Sequence, residues 1–294
     1  LKSIYAELFL FLVTFIWGGT FVFTKIGLDY ASPTAYILMR FAIAMGLCVI
    51  IFNRKLFKIN STTLKNGLIL GILFGGGFLL QTFGLKHTTV SKSAFITGVT
   101  VPITPIVFYL VCRRSISKYS IIGVIIATFG LWIFTNPDFD NINIGDLLTL
   151  ISTLFWAFYI TYMDVFTKNI KERIITAQLV FLQFVASSFI ALIFYFALGE
   201  NSLYVKFDKM LILSLAFNAV LASFLVTFIH TSIQKYTNPV KAALIFSLEP
   251  IIASAVAVLF IKETMSVREL TGAVILFSAV LFSEIGSFLD FKKK

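Results

Sequence analysis

Residues 8–24 read LFLFLVTFIWGGTFVFT, seventeen consecutive positions without an acid or a base. Wound as an α-helix at 1.5 Å per residue, the stretch is about 25 Å long, close to the thickness of a bilayer's hydrocarbon core. Six more uncharged stretches follow, at 66–85, 93–112, 119–137, 147–163, 174–199 and 210–229. A soluble domain covers its surface with charges, which make up about a quarter of its residues. Here 59% of the 294 residues are hydrophobic and 13% are charged, and the charges cluster between the apolar stretches. The chain therefore reads as an all-α membrane protein.

Working outward from the first stretch, ten spanning helices fit, at about 6–27, 33–53, 65–85, 90–112, 118–136, 146–166, 174–198, 208–230, 239–261 and 267–288. Lys2 followed by an apolar run has the look of a signal peptide. The Trp17-Gly18-Gly19-Thr20-Phe21 continuation offers no small-residue cleavage site, so the run reads as the first span. Ser32-Pro33 and Asn238-Pro239 open helices, where a missing N–H costs little.

The net charge of +10 has two readings, a nucleic-acid partner or the Lys/Arg excess of cytoplasmic loops. The second fits the pattern. With the N-terminus inside, fifteen Lys and Arg fall on the cytoplasmic side and six outside, so both termini are expected in the cytoplasm of a bacterial-type plasma membrane. Asn60-Ser61-Thr62 matches a glycosylation sequon but falls on the inner side, where it is a chance match. Two cysteines and two histidines give no disulfide framework and no metal-ligand spacing. No G-x-x-x-x-G-K-[ST] loop occurs, which argues against ATP hydrolysis, and no cofactor is implied.

The two halves resemble each other. Trp17-Gly18 precedes Trp156-Ala157 by 139 residues, and the segment from Ser93-Ala94 through Pro102 to Gly123 parallels Lys241-Ala242 through Pro250 to Gly272 at an offset of 148 with a one-residue slip. Five spans per copy is an odd number, so the second copy crosses in the opposite sense. Inverted repeats characterise secondary transporters, whose site lies near the midplane between the halves. The expected division is a first repeat over 1–136, a linker loop over 137–145 and a second repeat over 146–294.

Trp17-Gly18-x-x-Phe21-x-x-x-Lys25, Arg40-Phe41, Gln81-x-x-Gly84-Leu85, Ser93-Ala94-Phe95 and Pro102 resemble EamA-type transporters of the drug/metabolite transporter superfamily. Trp156-Ala157, Glu249-Pro250, Lys262-Glu263 and Gly272 continue the pattern through the second half. The resemblance covers essentially the whole chain. It implies a fold of two inverted five-helix repeats and transport of a small metabolite such as an amino acid or related compound, frequently outward. Position 115, which matches Glu263 across the repeat, is Ser, so that acid is not duplicated.

Glu249 is the sharpest candidate, because a carboxyl inside an apolar span is expensive and must face protein or water. It is a candidate for proton coupling, or else a structural group that caps backbone freed by Pro250 or pairs with the intramembrane Arg40. Ser93, Thr97, Thr100 and Thr104 fall on one helix face, and Pro102 and Pro105 beside them, with Pro250 in the other half, are candidate hinges. Gln81, Trp17, Phe21, Trp156 and Tyr159 complete the expected cavity lining with Ser93, Thr97 and Thr100. Gly67, Gly71 and Gly75 form a small-residue ridge for close helix packing. Lys25 and Asp164, at equivalent positions, read as snorkelling anchors, and His87 and His230 as span-end residues.

The reading that emerges is a non-enzymatic secondary transporter in the lipid bilayer, moving a small organic solute by alternating access. Protons are a candidate coupling partner, and nucleic acid is not a partner. A passive channel and an integral-membrane enzyme are the alternatives.

Overall fold

A computed structural model describes residues 2–135, 142–198, 204–261 and 266–292. Its helices are α1 (Lys2–Leu28), α2 (Pro33–Phe52), α3 (Ser61–His87), α4 (Val90–Gly98), α5 (Thr100–Cys112), α6 (Lys118–Thr135), α7 (Ile144–Thr167) and α8 (Arg173–Leu198). They continue with α9 (Lys209–Leu215), α10 (Val226–Ile233), α11 (Pro239–Phe246), α12 (Glu249–Ile261) and α13 (Val267–Lys292). A π-helical stretch, Ala216–Leu225, joins α9 to α10. No strand occurs among the described residues; Ala31 and Val205 form an isolated bridge.

Helix starts follow the sequence punctuation. The side chains of Ser32, Asn60, Thr89, Asn143 and Asn238 each accept a hydrogen bond from a backbone N–H in the first turn of the helix that follows, supplying a partner to a group the helix leaves unsatisfied. Asn60 of the sequon-like triplet thus serves as the cap of α3.

Among the described residues, eight helical segments are long and apolar enough to cross a membrane: Ile4–Leu28, Pro33–Phe57, Ser61–His87, Val90–Cys112, Ile144–Thr167, Arg173–Ala197, Lys209–Tyr236 and Pro239–Val256. Lys118–Phe134 is a shorter apolar helix, and α13 packs along it. Burial is inverted relative to a soluble protein. Phe15, Ile50, Ile125 and Phe196 face outward, while Gln183, Asn218, His230 and Gln234 are wholly buried. Apolar surface facing out and polar groups facing in is the arrangement a bilayer solvent selects. The chain is a multi-pass membrane protein.

Two expected spans, 90–112 and 239–261, are broken helices. The first breaks at Val99, and the second at Ser247 and Leu248. Val99 and Ser247 stand 148 residues apart and each lies three residues before a proline, Pro102 and Pro250. Pro102 cannot donate to the Gly98 carbonyl, nor Pro250 to the Phe246 carbonyl, and each ring crowds that carbonyl. The backbone responds by tightening: Val99 N–H bonds Ile96 O at 3.0 Å and Leu248 N–H bonds Ile245 O at 3.1 Å, three residues back in both cases. Pro105 lies inside α5 without interrupting it, so of the expected hinge prolines only Pro102 and Pro250 accompany a break.

The glycine ridge of α3 does what its spacing predicts. A Cβ on Gly71 would come within 2.9 Å of the Gln183 Cα, and one on Gly75 within 2.7 Å of the Ser187 Cα, so α3 meets α8 backbone to backbone. Gly18 plays the same part for α1, where a Cβ would stand 2.7 Å from the Ile252 side chain of α12.

Candidate functional site

α1, α3, α4, α5, α7, α11 and α12 enclose a cavity of about 50 Å³. Its wall includes Trp17, Phe21, Gln81, Thr97, Thr100, Trp156, Tyr159 and Glu249, all expected from sequence, and every residue of the wall is buried. The α4–α5 break places Thr97 and Thr100 on this wall, and the α11–α12 break places Phe246 and Glu249 there. Each repeat therefore presents a tryptophan and a broken helix to one space.

The tryptophans of the repeat meet, with ring centroids 6.4 Å apart at 46°. Their indole groups differ in partners. Trp17 Nε1 donates to the Ala222 carbonyl at 3.0 Å, inside the π-helical stretch, whereas Trp156 Nε1 is buried without a partner. π-helical turns displace carbonyls from the regular ladder and recur at functional sites.

The hydroxyl stripe divides. Thr97 Oγ1 donates to the Ser93 carbonyl at 2.9 Å and accepts from Gln81 Nε2 at 2.9 Å. Thr100 Oγ1, on the cavity wall, is buried and unpartnered. Ser93 is buried behind the wall, and Thr104 bonds back to the Thr100 carbonyl, so these two do not line the space.

Glu249 opens α12 and lines the cavity, and its carboxyl makes no hydrogen bond or ion pair to any described residue. The pairing with Arg40 weighed from sequence does not form. Arg40 Nε donates instead to Ser223 Oγ at 2.7 Å, its guanidinium lies 4.3 Å from the Phe78 ring centroid, and Nη2 has no partner. Arg40 lines a smaller side chamber, about 10 Å³, that shares Thr20, Phe21, Phe78 and Gln81 with the main cavity. Among the described residues, neither charge has a counter-charge of its own.

Other expectations change. Lys25 is no snorkelling anchor: its ammonium donates to the Leu85 and Thr88 carbonyls at 2.8 Å each, closing the C-terminus of α3 where a cation is favoured. Asp164 is buried, with Arg114 at 3.9 Å. His230 is no span-end residue either. The helical segment runs on to Tyr236, and the imidazole lies wholly buried against Trp17, Tyr159 and Phe246 with centroids at 5.5, 5.9 and 5.3 Å. Its Nε2 meets Gln234 Oε1 at 2.9 Å, and Nδ1 has no partner. The hydropathy limit at residue 230 concealed this position. Thr20, Phe78, Ala243 and Phe246 also line the cavity without having been anticipated, since nothing in their local pattern distinguishes them from packing residues. Lys262-Glu263 lies outside the described residues.

The sequence model of the EamA-like transporter family matches residues 4–136 and 143–284. An uncharacterized transporter of Archaeoglobus fulgidus is 30% identical over 280 residues, 95% of this chain and 86% of that one. The uncharacterized transporters YoaV and YcxC of Bacillus subtilis are 24% and 25% identical, over 90% and 96% of this chain and 91% and 92% of their own. A crystal structure at 11% identity superposes with a TM-score of 0.76 over 96% of both chains, which shows a shared fold. Two matched copies along nearly the whole length, joined to the cavity between them, place the chain: it belongs to the EamA-like transporter family.

Proposed function

We propose that the chain is a secondary transporter with ten transmembrane helices in two inverted five-helix repeats, moving a small organic metabolite by alternating access. α6 and α13 complete the count of ten, and the repeats divide between α6 and α7; most of the expected 137–145 linker lies outside the described residues. Both termini lie in the cytoplasm, as the Lys/Arg bias requires. The observation that carries the reading is the closed cavity walled by repeat-related Trp17 and Trp156. Its volume of about 50 Å³ has room for a few waters, whereas a metabolite site needs roughly 300 Å³ or more. Loading a solute therefore requires the walls to separate, and two mirrored halves offer one opening toward each face.

The chemistry of the wall supports the solute class. Trp17, Phe21, Trp156 and Tyr159 offer apolar and aromatic surface; Gln81, Thr97 and Thr100 offer hydrogen bonds. The carboxyl of Glu249 and the guanidinium of Arg40, unpaired with each other, suit a solute that carries a cationic and an anionic group, as an amino acid does. Glu249 is the acid placed to carry a proton in exchange, driving export. Pro102 and Pro250, with Pro105 inside α5, supply the pliable backbone.

The test is a solute panel in proteoliposomes with and without an imposed pH gradient. Saturable uptake with counterflow is expected. Linear, non-saturating flux without counterflow would instead establish a channel, the alternative reading, and chemical conversion of the solute an enzyme.

A further inference from the structure

Three ion pairs among the described residues join the halves; besides Arg114–Asp164 at 3.9 Å, there are two that the repeat relates to each other. Asp146 near the start of α7 pairs with Lys92 of α4 at 2.6 Å, and Glu7 near the start of α1 pairs with Lys241 of α11 at 3.0 Å. Glu7 and Asp146 stand 139 residues apart, the offset of the two tryptophans, and each acid precedes its tryptophan by ten residues. The lysines hold like places at their helix starts, although Lys92 lies one residue out of the 148-residue register that aligns Ser93 with Lys241. Lys92 lies three residues past the cap Thr89 and Lys241 three past the cap Asn238, and each cap's side chain accepts from the lysine's own N–H. In both pairs the acid comes from one repeat and the base from the other.

The pairs lie at opposite ends of the cavity. Asp146 also accepts from Thr88 Oγ1 at 2.7 Å, and the Thr88 carbonyl accepts from Lys25, at the far end of α1 from Glu7. Eighteen residues of helix, about 27 Å, separate Glu7 from Lys25. The two tryptophans occupy the interval, about 15 Å of helix from either acid.

We infer that Lys92–Asp146 and Lys241–Glu7 are the two gates of the transport cycle, one closing each face, and that both are shut in this structure. The inference rests on the alternating-access reading above. Side-chain exposures of 30% and 5% in one pair, and 14% and 13% in the other, leave each pair within reach of water. Asp146 is buried, but its carboxylate keeps the Thr88 hydroxyl and the Asn143 N–H as donors when Lys92 leaves, so opening does not strand it, which a gate requires and a permanent staple does not. Breaking one pair frees α4 from α7 at one end; breaking the other frees α11 from α1 at the opposite end.

The test places a reporter cysteine at Ala243, a small residue of the cavity wall, in a Cys48→Ala, Cys112→Ala background. An impermeant thiol reagent is applied to intact cells and to inverted membrane vesicles. With gates, Lys92→Met raises the labelling rate from the outer face roughly three- to tenfold and lowers it from the inner face, the population shift a partly screened pair can hold. Lys241→Met does the reverse, and the exchanged pair Glu7→Lys with Lys241→Glu restores the starting rates. Thermal stability of each purified variant shows that the fold persists; the exchanged pair keeps the test valid where a single substitution weakens it. A reporter that reacts from both faces at rates the lysine variants leave unchanged overturns the gates while transport stands. A reporter that reacts from one face only in every variant overturns alternating access itself, and the gates with it.

Discussion

Trp17 and Trp156, 139 residues apart in two copies of one unit, lie with ring centroids 6.4 Å from each other, yet among the described residues only Trp17 has a hydrogen-bond partner for its indole. The symmetry of the repeat is thus broken at the cavity wall. Trp17 is tied to the Ala222 carbonyl of the π-helical stretch, while Trp156 carries a free donor. Replacing Trp17 with Phe should lower stability by about 0.5–1.5 kcal/mol, the net worth of the buried hydrogen bond to Ala222, whereas Trp156→Phe should leave stability nearly intact and raise the transport KM. Thermal denaturation and uptake kinetics on both purified variants separate the effects. Equal losses of stability would show that the two tryptophans serve the same structural purpose.

Thr97 and Thr100 should diverge in the same way. Thr97→Val removes the acceptor of Gln81 Nε2 and should lower stability by about 1–2 kcal/mol along with transport. Thr100→Val removes a hydroxyl with no partner, so stability should hold while the apparent affinity falls. Unchanged kinetics in Thr100→Val, measured as saturable uptake, would move the solute's hydrogen bonds elsewhere on the wall.

Glu249→Gln keeps the shape of the side chain and fixes it in a neutral form. The variant should exchange solute across the membrane and lose accumulation driven by a proton gradient, because no proton can leave the site. Exchange and gradient-driven uptake measured on one preparation check this. Gradient-driven uptake at the wild-type level would remove Glu249 from coupling.

Arg40→Gln should raise the KM of carboxylate-bearing solutes about tenfold or more and leave analogues lacking the carboxylate little changed, since Nη2 is the unpaired donor of the side chamber. Competition by the two kinds of analogue against one labelled solute measures the difference. A parallel loss for both kinds would make Arg40 a packing residue of α2.

Sidedness is tested by cysteines at exposed positions. Ile142→Cys and Phe207→Cys should react with an impermeant thiol reagent added outside intact cells, and Ser61→Cys should not. Labelling of Ser61→Cys from outside would invert the orientation.

What the sequence by itself determined is what depends on local composition and period. Uncharged stretches such as 8–24 identify membrane helices, because the cost of a charge or an unpaired backbone group in hydrocarbon leaves no other structure for them. The glycines at 67, 71 and 75 identify a face of close approach, and the order of tryptophan, proline and glycine exposes the duplication. The tertiary structure decided whatever depends on which helices meet. It carried His230 from an apparent span end to the aromatic cluster around Trp17, because α10 and a 3₁₀ turn carry that helix on to Tyr236, beyond its hydropathy. It turned Lys25 from an anchor into a cap on α3, and it left Arg40 and Glu249 apart. Glu7, Lys92, Asp146 and Lys241 look in sequence like ordinary flanking charges. Only packing one repeat against the other gives each its partner, because an ion pair between repeats is set by distance in space, which spacing along the chain does not encode.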